Sequence, residues 1–196
     1  MKLFDFKSYE QYLQAQYRTA MRKGKGPYFC PVEIDRIADH MISHGQDGEL
    51  KGICHGARCG TEVNEFIRCF PQAAVYGTDL LPKNPTVIKR DFSIPFRKWA
   101  GYFDFVYSNS LDHARHPDKT LAVWTSQLKS GGRMFLQWSW WHRNIRGGDC
   151  FGASLDEYMV LVERACGLED LLFVRAAHHP ARRRGYQTVI VVGRKK

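Results

Sequence analysis

The residues able to do chemistry gather in one stretch, Lys51-Gly-Ile-Cys-His-Gly-Ala-Arg-Cys-Gly-Thr-Glu62, followed by Ala74-Val-Tyr-Gly-Thr-Asp79. Glycines at 56 and 60 let main chain lie close against a ligand, because they add no Cβ and tolerate left-handed turns. A carboxylate at the end of the next apolar segment, Asp79, accepts hydrogen bonds from ribose hydroxyls. That combination points to an adenosine-bearing ligand held at the edge of an α/β sheet. The glycines alone carry little weight. The acid at this distance from Gly60 carries more.

Two other sets of residues are chemically capable. Cys54, His55 and Cys59 have metal-ligating side chains. No second ligand pair stands nearby at finger-like spacing, so no metal site is expected. The six cysteines form no CxxC pair, and Cys30, Cys54, Cys69 and Cys166 sit among apolar neighbours, as reduced thiols do. Trp138, Trp140, Trp141, His142, Arg143 and Arg146 bring aromatic faces and cations together, which suits a ring, a sugar face or a phosphate. The alternative use of those tryptophans is to fill core.

Positioning these residues requires strands and helices in alternation. Strands are predicted over 50–55, 73–78, 86–90, 103–108 and 133–139, with helices at 61–70 and 117–129 and a short helical turn near 95–100. Pro117 and Asp118 suit a first helical turn, and Gly131-Gly132 stops that helix. Ser154-Leu-Asp-Glu157 is a capping box in front of a helix that Gly167 closes. Segments 170–177 and 186–192 then follow with a connection too short for a crossover, which makes them an antiparallel hairpin. The result is a mainly parallel sheet covered on both faces. Amphipathic helices over 3–23 and 32–43 precede it.

The chain has 196 residues and a formal net charge of +9. One domain is expected, with residues 1–46 as a helical cap and 48–193 as the α/β core. No apolar run approaches the roughly 18 residues that cross a bilayer, and the polar amino terminus does not read as a signal peptide, so a cytoplasmic protein is expected. The positive charge favours an acidic partner: nucleic acid, a phosphorylated small molecule or an anionic sugar. It concentrates at Arg182-Arg-Arg184 and Arg194-Lys-Lys196.

The ordered motifs resemble those of the class I S-adenosylmethionine-dependent methyltransferases, in the small-molecule "type 11" branch. Gly52-Ile-Cys-His-Gly-Ala-Arg-Cys-Gly60 resembles that family's first motif, Gly77-Thr-Asp-Leu80 its second and Arg90-Asp-Phe92 its third. Asp104 to His113, His116-Pro-Asp118 and Leu128-Lys-Ser-Gly-Gly-Arg-Met-Phe-Leu136 resemble the fourth and fifth. The likeness covers about residues 48–193. It implies a Rossmann-like three-layer sandwich with a seven-stranded, mainly parallel sheet ending in an antiparallel hairpin. It also implies S-adenosylmethionine as cofactor and methyl transfer as the activity. The departures are Cys54, where the family carries an acid, and Arg58, where it carries a glycine.

By that resemblance, His55, Gly56, Ala57 and Gly60 border the methionine part of the cofactor, and Glu62 takes over from the missing acid. Asp79 holds ribose, Leu80 packs on adenine, and Asp91 and Phe92 meet the adenine amino edge. Ser108 and Asn109 border the place where donor and acceptor meet. His113 is the candidate base, with Asp112 and Tyr158 as further candidates. A base is needed only where the acceptor must lose a proton. The amino-terminal helices are expected to close over the pocket as a lid. The acceptor expected is a small or sugar-like, anionic molecule. Two other readings remain open: a nucleic-acid-directed methyltransferase or basic binding module, and a nicotinamide-dependent oxidoreductase, whose GxGxxG pattern Arg58 breaks.

Overall fold

The computed structural model describes residues 1–22, 29, 31–145, 148–176 and 188–196, with backbone alone at 169–176 and 188. Arg182-Arg-Arg184, Arg146, Cys30 and the hairpin connection at 178–185 lie outside the described residues. The chain runs β1 (Lys2–Leu3), α1 (Tyr9–Arg22), α2 (Pro31–Ser43), β2 (Lys51–His55), α3 (Thr61–Cys69), β3 (Ala74–Asp79) and β4 (Val87–Lys89). It continues through β5 (Phe103–Ser108), α4 (Pro117–Gln127), β6 (Leu128–Ser139), β7 (Phe151–Gly152), α5 (Leu155–Cys166), β8 (Glu169–Ala176) and β9 (Thr188–Arg194).

Seven strands form one sheet in the order β4-β3-β2-β5-β6-β9-β8. The first five are parallel, and β9 pairs antiparallel with both β6 and β8. The predicted hairpin is therefore present, with its second strand inserted beside β6. Alternation along each strand divides the apolar side chains between two layers. Ile34, Ile37 and Met41 of α2 and Phe66 of α3 cover Phe105, Tyr107, Phe135 and Ile190. Leu121 and Trp124 of α4 and Tyr158 and Val162 of α5 cover Val106, Met134, Leu136 and Val191 on the other side. Burying each of these large side chains contributes about 1.5–3 kcal/mol.

The two amino-terminal helices have different fates. α2 belongs to a sheet-covering layer, whereas α1 forms a small cluster of its own, with Phe6 and Tyr12 against Cys150 and Leu80. The helix expected over 3–23 starts later because Ser8 caps it. The Ser8 hydroxyl accepts from the Gln11 amide at 3.1 Å, and the Gln11 side chain accepts from the Lys7 amide at 2.7 Å. These two contacts fix the helix start, and residues 2–3 pair antiparallel with 151–152, a ribbon without a local sequence signal. β6 likewise begins at Leu128, where α4 was expected to continue, because Leu128 pairs with Phe103 of β5. Among the described residues no helix is long and apolar enough to cross a membrane.

Candidate functional site

Parallel strands place their carboxyl ends, and the loops leaving them, along one edge of the sheet. The loop after β2 turns on Gly56 and Gly60, with φ of 78° and 72°. Both values lie in the left-handed region that side chains other than glycine occupy only at a cost. The turn is held by its neighbour strand, since Gly56 and Ala57 both donate to the Thr78 carbonyl, at 2.8 and 3.0 Å. Arg58 is buried, its amide donates to Asp79 at 3.3 Å and its carbonyl accepts from Lys83 at 2.8 Å. A glycine is therefore not required at position 58, and the loop closes around an arginine instead.

Glu62 stands in the first turn of α3 and is 6 % exposed. Its carboxylate accepts from the Thr61 hydroxyl at 3.1 Å and from the Asn109 amide, at the end of β5, at 3.3 Å. Burial lifts its pKa above the usual carboxylate value, partly offset by these donors and its own backbone. Its charge also adds to the burial that raises the Cys54 thiol. The acid thus lies beside the position where the strand itself offers only Cys54. A buried carboxylate at a helix amino terminus is a natural partner for an incoming cation.

Asp79 ends β3 and accepts from the Leu81 amide at 2.7 Å with Oδ1 and from Arg58 with Oδ2. It caps its own turn and ties the two loops together, while staying partly exposed. Each carboxylate oxygen retains a further lone pair for a ligand hydroxyl. Asp91, buried after β4, accepts from the Ser93 amide at 2.8 Å and from the Tyr9 hydroxyl of α1 at 2.7 Å. Burial first, and then the Asp91 carboxylate, push the Tyr9 phenol well above its ordinary value. Between α1 and these strand ends lies a cleft of about 300 Å³, lined by Tyr9, Leu13, Tyr17, Leu80, Asp91 and Ile94 among others. Its size and mixed apolar and polar lining suit a planar heterocycle.

The side chains of several predicted residues pack into the core. The His55 ring is 1 % exposed, stacks on Trp124 at 4.9 Å, and joins Thr78 and Gln127 at 2.8 and 2.9 Å. Burial lowers its pKa to about 4, so it is neutral, and only its backbone faces the loop. The Phe92 side chain packs edge-on against Trp124, whose indole donates to the Phe92 carbonyl at 3.0 Å. The fully buried Ser108 hydroxyl donates to the His55 carbonyl at 3.0 Å and accepts from the Ser110 amide at 3.1 Å. Trp138 is core, with its indole on the Ala153 carbonyl, whereas Trp140 and Trp141 are exposed. Arg143 stacks over Trp140 at 4.0 Å.

His113 follows β5 and is half-buried, with Nδ1 3.4 Å from the Gly148 carbonyl. A carbonyl only accepts, so Nδ1 is the donor in this contact. His142 Nδ1 accepts from the Ser139 amide at 2.9 Å, which leaves its protonated Nε2 facing the buried Asp112 carboxylate at 3.8 Å. Burial and then Asp112 raise the Tyr158 phenol far above its usual value, which makes it a poor proton acceptor. Tyr9 and Asp149 have site positions that sequence reasoning did not assign. The spacing of Tyr9 and Tyr12 on α1 was a signal for the first; nothing local marked the second.

No family description and no curated protein matches this sequence. Solved structures do. The 1,6-didemethyltoxoflavin-N1-methyltransferase of Burkholderia thailandensis, with 1,6-didemethyltoxoflavin and S-adenosylhomocysteine bound, superposes with a TM-score of 0.72 at 14% identity, over 99% of this chain and 94% of that one. This chain has the class I S-adenosylmethionine-dependent methyltransferase fold. A putative sarcosine dimethylglycine methyltransferase from Galdieria sulphuraria matches at 0.63 and 16% identity, over 94% and 98% of the two chains. The [4+2]-cyclase SpnF matches at 0.61 and 15% identity, over 82% and 80%. A methyltransferase fold thus also carries a protein named for a different reaction, so function must be argued from the site.

Proposed function

We propose that this protein binds S-adenosylmethionine and transfers its methyl group to a small, anionic acceptor. One observation carries the reading. A left-handed glycine turn, the Glu62–Asn109 pair, Asp79 and Asp91 all lie on the carboxyl edge of the sheet, in the order that amino-acid, ribose and adenine groups require. Glu62 fits the cofactor's ammonium, since a cation returns to this buried carboxylate the stabilisation that burial removes. Asp79 fits the ribose diol with its remaining lone pairs. Asp91 and Leu80, in the cleft beneath α1, fit the adenine.

The cofactor supplies an electrophilic sulfonium methyl, so the chain's work is mainly to position and orient. α1 excludes water from the carboxyl edge through Tyr9 on Asp91 and the packing of Tyr12 on Phe6. His113 is assigned to the acceptor's proton. The +9 charge and the exposed Arg143, stacked over Trp140, support an anionic acceptor. A cytoplasmic setting is part of this proposal.

Calorimetric titration with S-adenosylmethionine, S-adenosylhomocysteine and NAD tests the cofactor. Micromolar affinity for the first two, and none for NAD, is expected. Asp79→Asn should keep the fold and weaken both by at least about tenfold, a loss of one charge-assisted hydrogen bond. A folded protein that binds neither compound overturns the proposal.

A further inference from the structure

A second cluster of ligating side chains lies outside the cofactor edge. Asp112, His113 and Asp149 each present a ligand atom, and the three atoms lie within 4.8 Å of one another. Asp112 is buried, and the other two are half-buried. Two carboxylates at this separation repel one another, and partial burial strengthens the repulsion by lowering the local dielectric. The His113 ring is oriented by the Gly148 carbonyl, 3.4 Å from Nδ1, and ligating histidines are commonly held through the nitrogen opposite the metal in this way.

A second observation comes from α5. The Tyr158 hydroxyl is buried, has no hydrogen-bond partner among the described residues, and has Asp112 as its leading charged neighbour. A buried donor of this kind is costly unless something beside it is bound. Its ring stacks on Phe151, two residues beyond Asp149. The segment is held in place by Cys150, whose amide donates to the Asp112 carbonyl at 2.6 Å.

We propose that Asp112, His113 and Asp149 bind one divalent transition-metal cation. Two oxygens and one imidazole nitrogen make a donor set of intermediate hardness, suited to Mn²⁺ or Zn²⁺ and less to Ca²⁺. Three protein ligands leave coordination positions open, and the Tyr158 hydroxyl is available to a water on the ion. On the methyl-transfer reading above, an anionic oxygen of the acceptor takes one open position. While the cation is bound the His113 ring nitrogen is a ligand, so the acceptor's proton, made more acidic by the ion, passes to solvent water; in the cation-free protein His113 keeps the role given above.

Mn²⁺ titration of chelator-treated protein, followed by loss of the free-ion electron paramagnetic resonance signal, tests the site without any activity. One Mn²⁺ per chain is expected. Asp149→Asn and Asp112→Asn should each weaken binding at least about tenfold. Asp118→Asn, an exposed carboxylate on α4, should leave it unchanged. No stoichiometric binding, or equal binding in both cluster variants and the parent, overturns the proposal. S-adenosylmethionine affinity is measured on the same chelated sample. Its absence refutes the cofactor reading alone, and Mn²⁺ binding then still supports the cation site.

Discussion

Replacing Glu62 by glutamine separates a ligand-binding acid from a structural one. The carboxylate is 6 % exposed, and its neighbours Thr61 and Asn109 donate at 3.1 and 3.3 Å. An amide of the same shape keeps an acceptor oxygen for one of these donors and removes the charge. If the acid holds the cofactor's ammonium, the variant loses a hydrogen bond between two charged groups, about 1.5–3 kcal/mol. Affinity for S-adenosylmethionine then falls about 10- to 150-fold.

The ligand-free protein should respond the other way. Burial places the pKa of Glu62 in the folded chain above its value in the unfolded chain. Between those two values the folded state holds more protons, so stability falls as pH rises, and the full cost remains above the folded-state value. Glu62→Gln removes that cost. Urea unfolding should show the variant at least as stable as the parent at neutral pH, with a flatter pH dependence just above the ordinary carboxylate range. Unchanged affinity for S-adenosylmethionine in titration calorimetry refutes the assignment. So does a loss of stability as large as the loss of affinity, which marks Glu62 as a structural tie to Asn109.

Two further perturbations address the lid and the core. Tyr9→Phe removes the hydroxyl that donates to Asp91 at 2.7 Å, worth about 1.5–3 kcal/mol, and should speed amide hydrogen exchange in α1 by at least about tenfold; unchanged exchange means that packing alone holds the helix. His55, held neutral down to about 4 mainly by burial, should cost the protein about 3 kcal/mol as pH falls from about 6.5 to about 4, because only the unfolded chain binds that proton in this window. His40, also lowered to about 4, acts in the same window. His55→Gln should therefore flatten the acid limb of the urea-unfolding profile, and an unchanged slope would assign it to other groups.

Much of the fold was legible because its signals are local. Alternation marks strands, a 3.6-residue period marks helices, and Ser154 with Glu157 forms the capping box that their spacing predicts. The antiparallel pair at the carboxyl end followed from the length of its connection alone. The β1–β7 ribbon was not legible, since each strand is two residues long and the partners are separated by most of the chain. The start of α1 was readable in Ser8 and Gln11 but was hidden by apolar residues that keep a helical spacing upstream of the cap.

The candidate site divides along the same line. The sequence by itself determined which residues stand on the carboxyl edge, because a strand, its turn and the next helix are contiguous, so Gly56, Gly60, Glu62, Asp79 and Asp91 follow from order. Only the tertiary structure decided which way the side chains face and whom they meet. His55 belongs to the core because the pleat turns it towards Trp124, and Cys54 turns to the opposite layer. Glu62 meets Asn109 across 47 residues, Tyr9 meets Asp91 across 82, and Asp149 reaches His113 through a loop after β6. Such contacts depend on how elements pack against one another, and the side-chain periodicity of a single element carries no record of its neighbours.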